Sequence, residues 1–290
     1  MCSAVSKLVP AIKTRVQQER AHGNTSNELF VTETFDSRRG QQAQGSFVAL
    51  QSAVMLIDVD PRTPNVALAI FAHPDDAEVA AGATLAKWAS DGCVVYLFVV
   101  AQGDKGTTNP QTVGSELAKV RQVETANAAS ILGVSNVDFG AVPDGEVVNS
   151  LEMREKIVRL IRSVKPEAVV CPDPVALLFG RNYVNHRDHR VVGEIVLDAI
   201  SPAAAMPLYF PKVGPVHQVQ RVYLAGTLEP DVVIDVASSI EMKWKALACH
   251  ATQSEEAGEW LRIAVHERAE AAGRDSGIAF GEAFRLMVLS

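Results

Sequence analysis

The sequence predicts an α/β fold built on a doubly wound, mostly parallel sheet. The run from Val66 to Ala72 is apolar and uncharged, as a central strand covered by helices on both faces requires. Similar runs occupy residues 93–100 and 168–172, and each of the three is followed by a polar loop and a helix-like segment. Because strands that alternate with helices at this spacing form βαβ units, we expect a Rossmann-like sheet in a single main domain.

Apolar periodicity and the positions of glycine and proline define the other elements. Helices are predicted over four stretches, at residues 78–88, 115–132, 151–165 and 191–199. Further strands are predicted at residues 137–139, 221–225 and 232–234, and further helices around residues 239–250 and 255–270. A polar loop at residues 173–185 joins the strand at 168–172 to its helix.

The chain has neither an internal repeat nor a low-complexity linker. We therefore divide it into a main domain at residues 65–290 and an N-terminal extension at residues 1–64. The extension contains polar, turn-like stretches and no motif that carries chemistry. We expect it to pack on the core or to contribute contacts in a homo-oligomer.

Composition and charge narrow the classes of function. With 290 residues, 48% of them hydrophobic and 21% charged, the chain has the balance of a globular protein with a substantial core. Its formal net charge of -7 disfavours non-specific binding to nucleic acid or to an anionic membrane. The four cysteines are far apart, and no apolar run suits a signal peptide or a transmembrane helix. We expect a cytoplasmic protein that acts on a small molecule.

Two polar clusters follow two different predicted strands. His73-Pro74-Asp75-Asp76 follows the first strand, and His186-Arg187-Asp188-His189 follows the loop at residues 173–185. Ligands of open α/β sheets bind beyond the carboxyl ends of the strands, so both clusters are expected at the same rim. Imidazole and carboxylate groups suit Zn²⁺, and a catalytic zinc site keeps one position open for water. Two adjacent aspartates allow one to bind metal while the other stays free as a base.

A turn is the simpler interpretation of each cluster taken alone. Asp75 or Asp76 would then cap the next helix, and His189 would be a capping or surface histidine at a helix start. Gly103-Asp104-Lys105-Gly106 is typical of a polar turn, and Arg121 of a helix-surface ion pair. The presence of both clusters in one chain favours a site over two unrelated turns.

Together the two clusters resemble the LmbE-like (PIG-L) family of zinc-dependent N-acetylglucosamine deacetylases. That family carries AHPDD with a nearby Glu after its first strand, matched here from Ala72 to Glu78. It carries an H-x-D-H element downstream, matched by residues 186–189, and the resemblance continues to the C-terminus. Further matching positions are the loop at residues 103–107, Arg121 with Glu124, and the C-terminal residues Lys245, His250, Gln253 and Glu282.

The resemblance implies a metal centre and a reaction. The metal would be Zn²⁺, with Fe²⁺ as the alternative, and its ligands would be His73, Asp76 and His189. The reaction would be hydrolysis of an acetamide to acetate and a free amine, on an N-acetylated amino sugar or its conjugate. The protein would then be a zinc-dependent de-N-acetylase, a hydrolase of linear amide C–N bonds.

The resemblance also implies three catalytic roles. Asp75 would be the general base that activates the zinc-bound water. His186 would stabilise the oxyanion or protonate the leaving amine, and Asp188 would orient an imidazole.

Five residues near the clusters are candidates for substrate binding, namely Lys105, Arg121, Arg181, Asn182 and Tyr183. Some relatives place a tyrosine two residues before the downstream histidine, where this chain has Val184; Tyr183 is one residue earlier. This chain also has Arg187 where the family commonly has proline. These departures concern substrate choice more than metal chemistry.

Two other functions fit the same sequence. One is an amidase that uses the same site on a non-acetyl, antibiotic or thiol conjugate. The other is a non-catalytic Rossmann-like module that binds a nucleotide or a sugar at the rim of the sheet. The second lacks support, because no GxGxxG follows the first strand and no Walker GxxxxGK[ST] is present.

Overall fold

The computed structural model describes residues 57–253, 259–274 and 276–289. Its strands are β1 (Asp58–Val59), β2 (Val66–Phe71), β3 (Val94–Ala101), β4 (Asn136–Val142), β5 (Ala168–Pro172), β6 (Leu178–Phe179), β7 (Tyr183–Val184), β8 (Arg221–Ala225), β9 (Val232–Asp235) and β10 (Gly281–Val288). Its helices are α1 (Asp76–Ser90), α2 (Gly114–Ile131), α3 (Leu151–Val164), α4 (Arg187–Asp198), α5 (Ile240–Leu247) and α6 (Glu259–Arg274). Among these described helices, none combines the length and the apolar character that crossing a membrane requires.

Eight strands form one sheet in the order β1-β9-β10-β8-β5-β2-β3-β4. β10 pairs antiparallel with β8 and β9, whereas the remaining neighbours in this sheet pair parallel. The predicted α/β fold with a mostly parallel sheet is therefore confirmed. β6 and β7 form a small separate hairpin between β5 and α4.

β2 is buried on both faces because its side chains alternate between two cores. Leu68 and Ile70 pack in the core that α3 and α4 cover, together with residues such as Ile157. Ala69 and Phe71 point the other way, into the core that α1, α5 and α6 cover. The sheet is therefore the middle of three layers, as the uncharged run from Val66 to Ala72 predicts.

The order of the strands creates a switch point beside β2. From β2 the chain continues to β3 and β4 on one side, and it later returns to β5 and β8 on the other. β2 and β5 pair in parallel, with Ala67 opposite Ala168. The segments that follow these two strands, residues 72–76 and 173–189, therefore start at the same edge of the sheet, where ligands of such folds bind.

The first three predicted helices match α1, α2 and α3 within two residues. The fourth begins at Arg187, four residues before its predicted start at residue 191. It begins there because His186 is its N-cap, with Nδ1 accepting from the backbone N–H of Asp188 at 3.2 Å. The predicted loop at residues 173–185 contains the β6–β7 hairpin, whose two-residue strands are too short to show an alternating pattern.

The predicted N-terminal extension is described only at its end, because residues 1–56 lie outside the described residues. Asp58–Val59 forms the edge strand β1, parallel to β9. Next to it, Asp60 Oδ2 accepts from the Tyr223 hydroxyl at 2.8 Å and from Arg221 Nη1 at 3.2 Å. This part of the extension belongs to the edge of the sheet, and the division at residue 64 stays a prediction.

Arg162 on α3 holds the chain that follows α4. Its guanidinium is buried and donates to six backbone carbonyl oxygens at 2.9–3.4 Å. The carbonyls belong to Ala203, Ala204, Met206, Tyr209, Phe210 and Gly214. Because a buried cation loses its hydration, this ring of dipoles replaces water around the charge.

We predict that Arg162→Met lowers the free energy of unfolding by about 3 kcal/mol or more, because buried carbonyls lose their donors. Arg159→Met is the matched control on the same helix. Arg159 forms an exposed ion pair with Glu155, and such pairs contribute about 0.5 kcal/mol. Urea unfolding of both variants measures the difference, and equal losses would contradict the role assigned to Arg162.

Candidate metal centre and active site

β2 delivers the first cluster at the edge of the sheet. After Phe71 the chain turns through Asp75, whose φ of 94° lies in the left-handed region, and α1 begins at Asp76. The backbone N–H of His73 donates to Asp76 Oδ2 at 2.8 Å, so the turn closes on the carboxylate that it presents. A non-glycine residue in this conformation is strained, and strain of this kind concentrates at functional sites.

His189, in the first turn of α4, meets this turn. Its Nε2 atom lies 3.2 Å from His73 Nδ1 and 3.2 Å from Asp76 Oδ2. The third separation, from His73 Nδ1 to Asp76 Oδ2, is 3.4 Å. We call these three atoms the donor triangle. The structure thus brings together the three residues that the resemblance implies as metal ligands.

The donor triangle has the size that a metal ion requires. Zinc binds nitrogen and oxygen ligands at about 2.0–2.1 Å, which in a tetrahedral site separates the ligand atoms by about 3.3 Å. Two imidazole nitrogens and one carboxylate oxygen also suit zinc chemically. His186 is nearby, since one nitrogen from each of His73, His186 and His189 lies within 4.8 Å of the others.

Two carboxylates face the other ring nitrogen of His73. Asp144 Oδ1 lies 3.1 Å and Asp188 Oδ2 lies 3.4 Å from His73 Nε2. Burial by itself would lower the pKa of His73, but the neighbouring carboxylates of Asp144, Asp188 and Asp76 outweigh it and hold the pKa well above its ordinary value. Carboxylates that contact the distal nitrogen of a metal-binding histidine fix its orientation. The role of Asp188 in orienting an imidazole stays a prediction.

Asp75 is buried beside a charged partner. Burial raises the pKa of its carboxyl group; the charge of Arg121 opposes this rise and the charge of Asp76 adds to it. Arg121 Nη2 lies 3.4 Å from Asp75 Oδ2. A carboxylate with raised proton affinity is a better general base than an ordinary surface aspartate.

Arg121 also joins two loops at the edge of the sheet. It donates to Pro74 O at 2.6 Å and to Gly103 O at 3.0 Å. A Cβ atom at Gly103 or Gly106 would meet Arg121 Nη1, so a side chain at either position would require the guanidinium to move. Arg121 is buried and contributes to the wall of the site, and its role in substrate binding stays a prediction.

A small cleft opens at this place, lined by His73, Gly106, Arg121, Asp144 and His186. His186 is the most exposed histidine of the two clusters, with 36% of its side chain accessible and Nε2 3.7 Å from Asp144 Oδ1. Burial, together with the charges of His73 and His189, lowers the pKa of His186. Because its side chain is exposed in the cleft, His186 can contact a molecule that enters from solvent.

The other predicted substrate residues lie around the rim. Tyr183 is on β7; burial raises the pKa of its phenol to about 12, and the charges of Asp76 and Asp75 contribute to the rise. Lys105 Nζ donates to Asp144 O and to Glu146 Oε1, both at 2.7 Å. Arg181 and Asn182 are exposed at the turn of the β6–β7 hairpin.

Of the C-terminal positions that resemble the family, His250 and Gln253 lie beside the site, whereas the lysine position differs. Lys243, not Lys245, is the buried lysine of α5, and its ammonium group pairs with Glu282. Lys245 is exposed. His250 is buried, and Gln253 Nε2 donates at 2.9 Å to a backbone carbonyl in the loop after β3.

No sequence pattern marks Asp144 or Asn185 as a site residue, but the structure places both against histidines of the donor triangle. Asp144 lies in Pro143-Asp144-Gly145, a composition that indicates only a turn. Asn185 lies before the first residue of α4, so helical spacing does not relate it to His189, and only the structure reveals their contact.

Comparison with known proteins gives one family. Residues 68–200 match the PIG-L family model, described as GlcNAc-PI de-N-acetylase. The chain is 31% identical over 229 residues to the diacetylchitobiose deacetylase of Thermococcus kodakarensis, an alignment that covers 76% of this chain and 82% of that protein.

Solved structures share the fold of this chain. The N,N'-diacetylchitobiose deacetylase of Pyrococcus horikoshii, in complex with its inhibitor MPG, superposes with a TM-score of 0.72 at 27% identity and covers 78% of this chain and 84% of its own. GalB, the 4-carboxy-2-hydroxymuconate hydratase of Pseudomonas putida KT2440, shares the fold with a TM-score of 0.66 at 22% identity, covering 78% of this chain and 97% of its own. From the donor triangle, the family match and the identity across most of both chains, it follows that this protein is a member of the PIG-L (LmbE-like) family.

Proposed function

We propose that this protein is a metal-dependent hydrolase that removes the acetyl group from an N-acetylated amino sugar or its conjugate. The donor triangle carries the proposal, because it offers a metal three ligands of suitable chemistry at suitable separations. The relatives named as deacetylases of diacetylchitobiose support the amino-sugar class of substrate.

Zinc is the metal we propose, held by His73, Asp76 and His189. When bound, zinc supplies Lewis-acid chemistry: it polarises a carbonyl oxygen and makes water more acidic. Two histidines and one carboxylate also form the ligand set of non-haem Fe²⁺ sites, so Fe²⁺ is the alternative.

Asp75 is the proposed general base. It takes a proton from the attacking water, for which its buried carboxyl group has raised proton affinity. Arg121, at 3.4 Å, keeps the carboxyl group ionised enough to accept that proton. The carboxylate of Asp75 remains free for this work because Asp76 supplies the metal ligand.

His186 and Tyr183 are proposed to act on the substrate side. His186 borders the cleft, where its Nε2 atom can stabilise the oxyanion or donate a proton to the leaving amine. Burial keeps the phenol of Tyr183 protonated, so it can donate a hydrogen bond to a developing oxyanion. The product amine leaves protonated, and acetate leaves with the oxygen of water.

The cleft wall favours a polar substrate. Asp144, Arg121 and His186 line it, and Lys105 is held beside it by Asp144 O. Groups of this kind hydrogen-bond sugar hydroxyls. An amidase acting on a larger conjugate would use the same catalytic groups, and assay of acylated amines with different carriers distinguishes the two substrates. We further propose a cytoplasmic protein, consistent with the buried free thiols of Cys93 and Cys171.

We predict that Asp75→Asn lowers kcat for acetate release by at least about 100-fold, because an amide cannot accept the proton from water. Since Asp75 is not in the donor triangle, the variant should retain its metal. Acetate release from N-acetylglucosamine and N,N'-diacetylchitobiose, together with the metal content of the same sample, tests this. Normal turnover in the variant would exclude Asp75 as the base.

We also predict that His189→Ala loses both the metal and the activity, since a triangle with one ligand removed binds zinc weakly. His266→Ala is the control: its imidazole pairs with Glu270 on α6. Elemental analysis should find about one zinc per chain in the wild type and the control, as a single catalytic site requires. A wild type that binds no metal would favour the non-catalytic binding module.

A further inference from the structure

Asn185 links the metal centre to the hairpin at its rim. It lies between β7 and α4 and is buried, with 6% of its surface exposed. Its side-chain Oδ1 lies 2.9 Å from His189 Nδ1, and its Nδ2 donates to Ala176 O at 2.7 Å. Its backbone N–H donates to Leu177 O at 2.8 Å. The side-chain oxygen, the side-chain nitrogen and the backbone N–H of Asn185 therefore each have a hydrogen-bond partner.

The contacts decide which way the amide of Asn185 points. A carbonyl oxygen only accepts, so the atom 2.7 Å from Ala176 O must be the amide nitrogen. The opposite orientation would place two acceptor oxygens against each other in a buried place, at a cost of about 1–3 kcal/mol. Oδ1 therefore faces His189.

The orientation of the amide in turn decides which ring nitrogen of neutral His189 carries the proton. Because Oδ1 of Asn185 only accepts, neutral His189 must carry its proton on Nδ1. Its Nε2 atom, one corner of the donor triangle, then carries a lone pair and no proton. The other two corners, His73 Nδ1 and Asp76 Oδ2, are each 3.2 Å away. This is the tautomer that binds a metal through Nε2.

We propose that Asn185 is a positioning residue that fixes the tautomer and the ring orientation of His189 for metal binding and ties that ligand to the β6–β7 hairpin. The proposal rests on the proposed function, because it takes His189 as a metal ligand. The two histidines of the triangle are then held differently. Carboxylates face the distal nitrogen of His73, whereas a neutral amide faces that of His189.

The choice of a neutral amide has an electrostatic consequence. Asp75, Asp76, Asp144 and Asp188 already surround the triangle with carboxylates. A further carboxylate at Asn185 would add negative charge to a crowded site, while the amide orients His189 without adding any. The amide also supplies the N–H that Ala176 O needs, which a carboxylate lacks.

Two variants separate the contact with His189 from the contact with the hairpin. Asn185→Leu removes both, whereas Asn185→Asp keeps an acceptor for His189 Nδ1 and loses the donor to Ala176 O. Chelator competition with Zn²⁺ should show about 10- to 100-fold weaker affinity for Asn185→Leu, the usual effect of losing such a partner. Asn185→Asp should bind Zn²⁺ as tightly as the wild type or more tightly. Asn149→Leu, at a surface amide that pairs with Asp198, is the control.

A second measurement does not depend on the metal. ¹⁵N NMR of the imidazoles in the metal-free protein, at about pH 8 where an ordinary histidine is neutral, reports the tautomer of His189 directly. The wild type and Asn185→Asp should show the Nδ1–H form, and Asn185→Leu a mixture of both tautomers. Thermal unfolding should report a loss of stability in both variants, since both lose the donor to Ala176 O, and a larger loss in Asn185→Asp, whose carboxylate faces that carbonyl oxygen.

The possible outcomes are distinct. Equal loss of zinc affinity in Asn185→Leu and Asn185→Asp would overturn the proposal, because Asn185 would then act only through the hairpin. Unchanged affinity and tautomer in Asn185→Leu would overturn it as well. Failure of the proposed function is a different result: the wild type would bind neither Zn²⁺ nor Fe²⁺, although the tautomer of His189 would still depend on Asn185.

Discussion

The donor triangle is the constraint on which the rest of the site depends. Two imidazole nitrogens and a carboxylate oxygen lie within 3.4 Å of one another in a largely buried place. Their lone pairs repel unless a cation or a proton lies among them. The pKa of His73 is accordingly raised well above its ordinary value by the surrounding carboxylates. A metal ion satisfies the same requirement at neutral pH.

The groups around the triangle restrict how it can relax. The backbone N–H of His73 donates to Asp76. The carboxylates of Asp144 and Asp188 contact the imidazole of His73, and the amide of Asn185 contacts that of His189. These partners come from three parts of the chain: the turn after β2, the turn after β4, and the start of α4. Because the sheet positions these elements and Arg121 holds the turn after β2, the triangle is held before any ligand binds. Preorganisation of this kind lowers the cost of binding a metal in the correct geometry.

The fold alone leaves the reaction undecided. A hydratase and a deacetylase both superpose on this chain over more than three quarters of its length. A shared sheet positions the site at the switch point beside β2, but the side chains placed there select the chemistry. In this protein those side chains include the buried carboxyl group of Asp75 next to the donor triangle. That combination supports hydrolysis, and the rim around Tyr183 and Lys105 is where substrates would be distinguished.

The sequence by itself determined the three-layer fold, because the uncharged run from Val66 to Ala72 and its two counterparts are stable only as strands covered on both faces. It also determined the two clusters, since the carboxyl ends of parallel strands meet at one edge. Only the tertiary structure decided the contacts of Asp144 and Asn185. Asp144 is distant in the chain from His73, and Asn185 lies before α4 and outside its helical periodicity, so neither contact follows from a local pattern. The buried lysine is a similar case: Lys243 and Lys245 differ only in which face of α5 they occupy. That face depends on how the helix packs against α1, which local sequence does not encode.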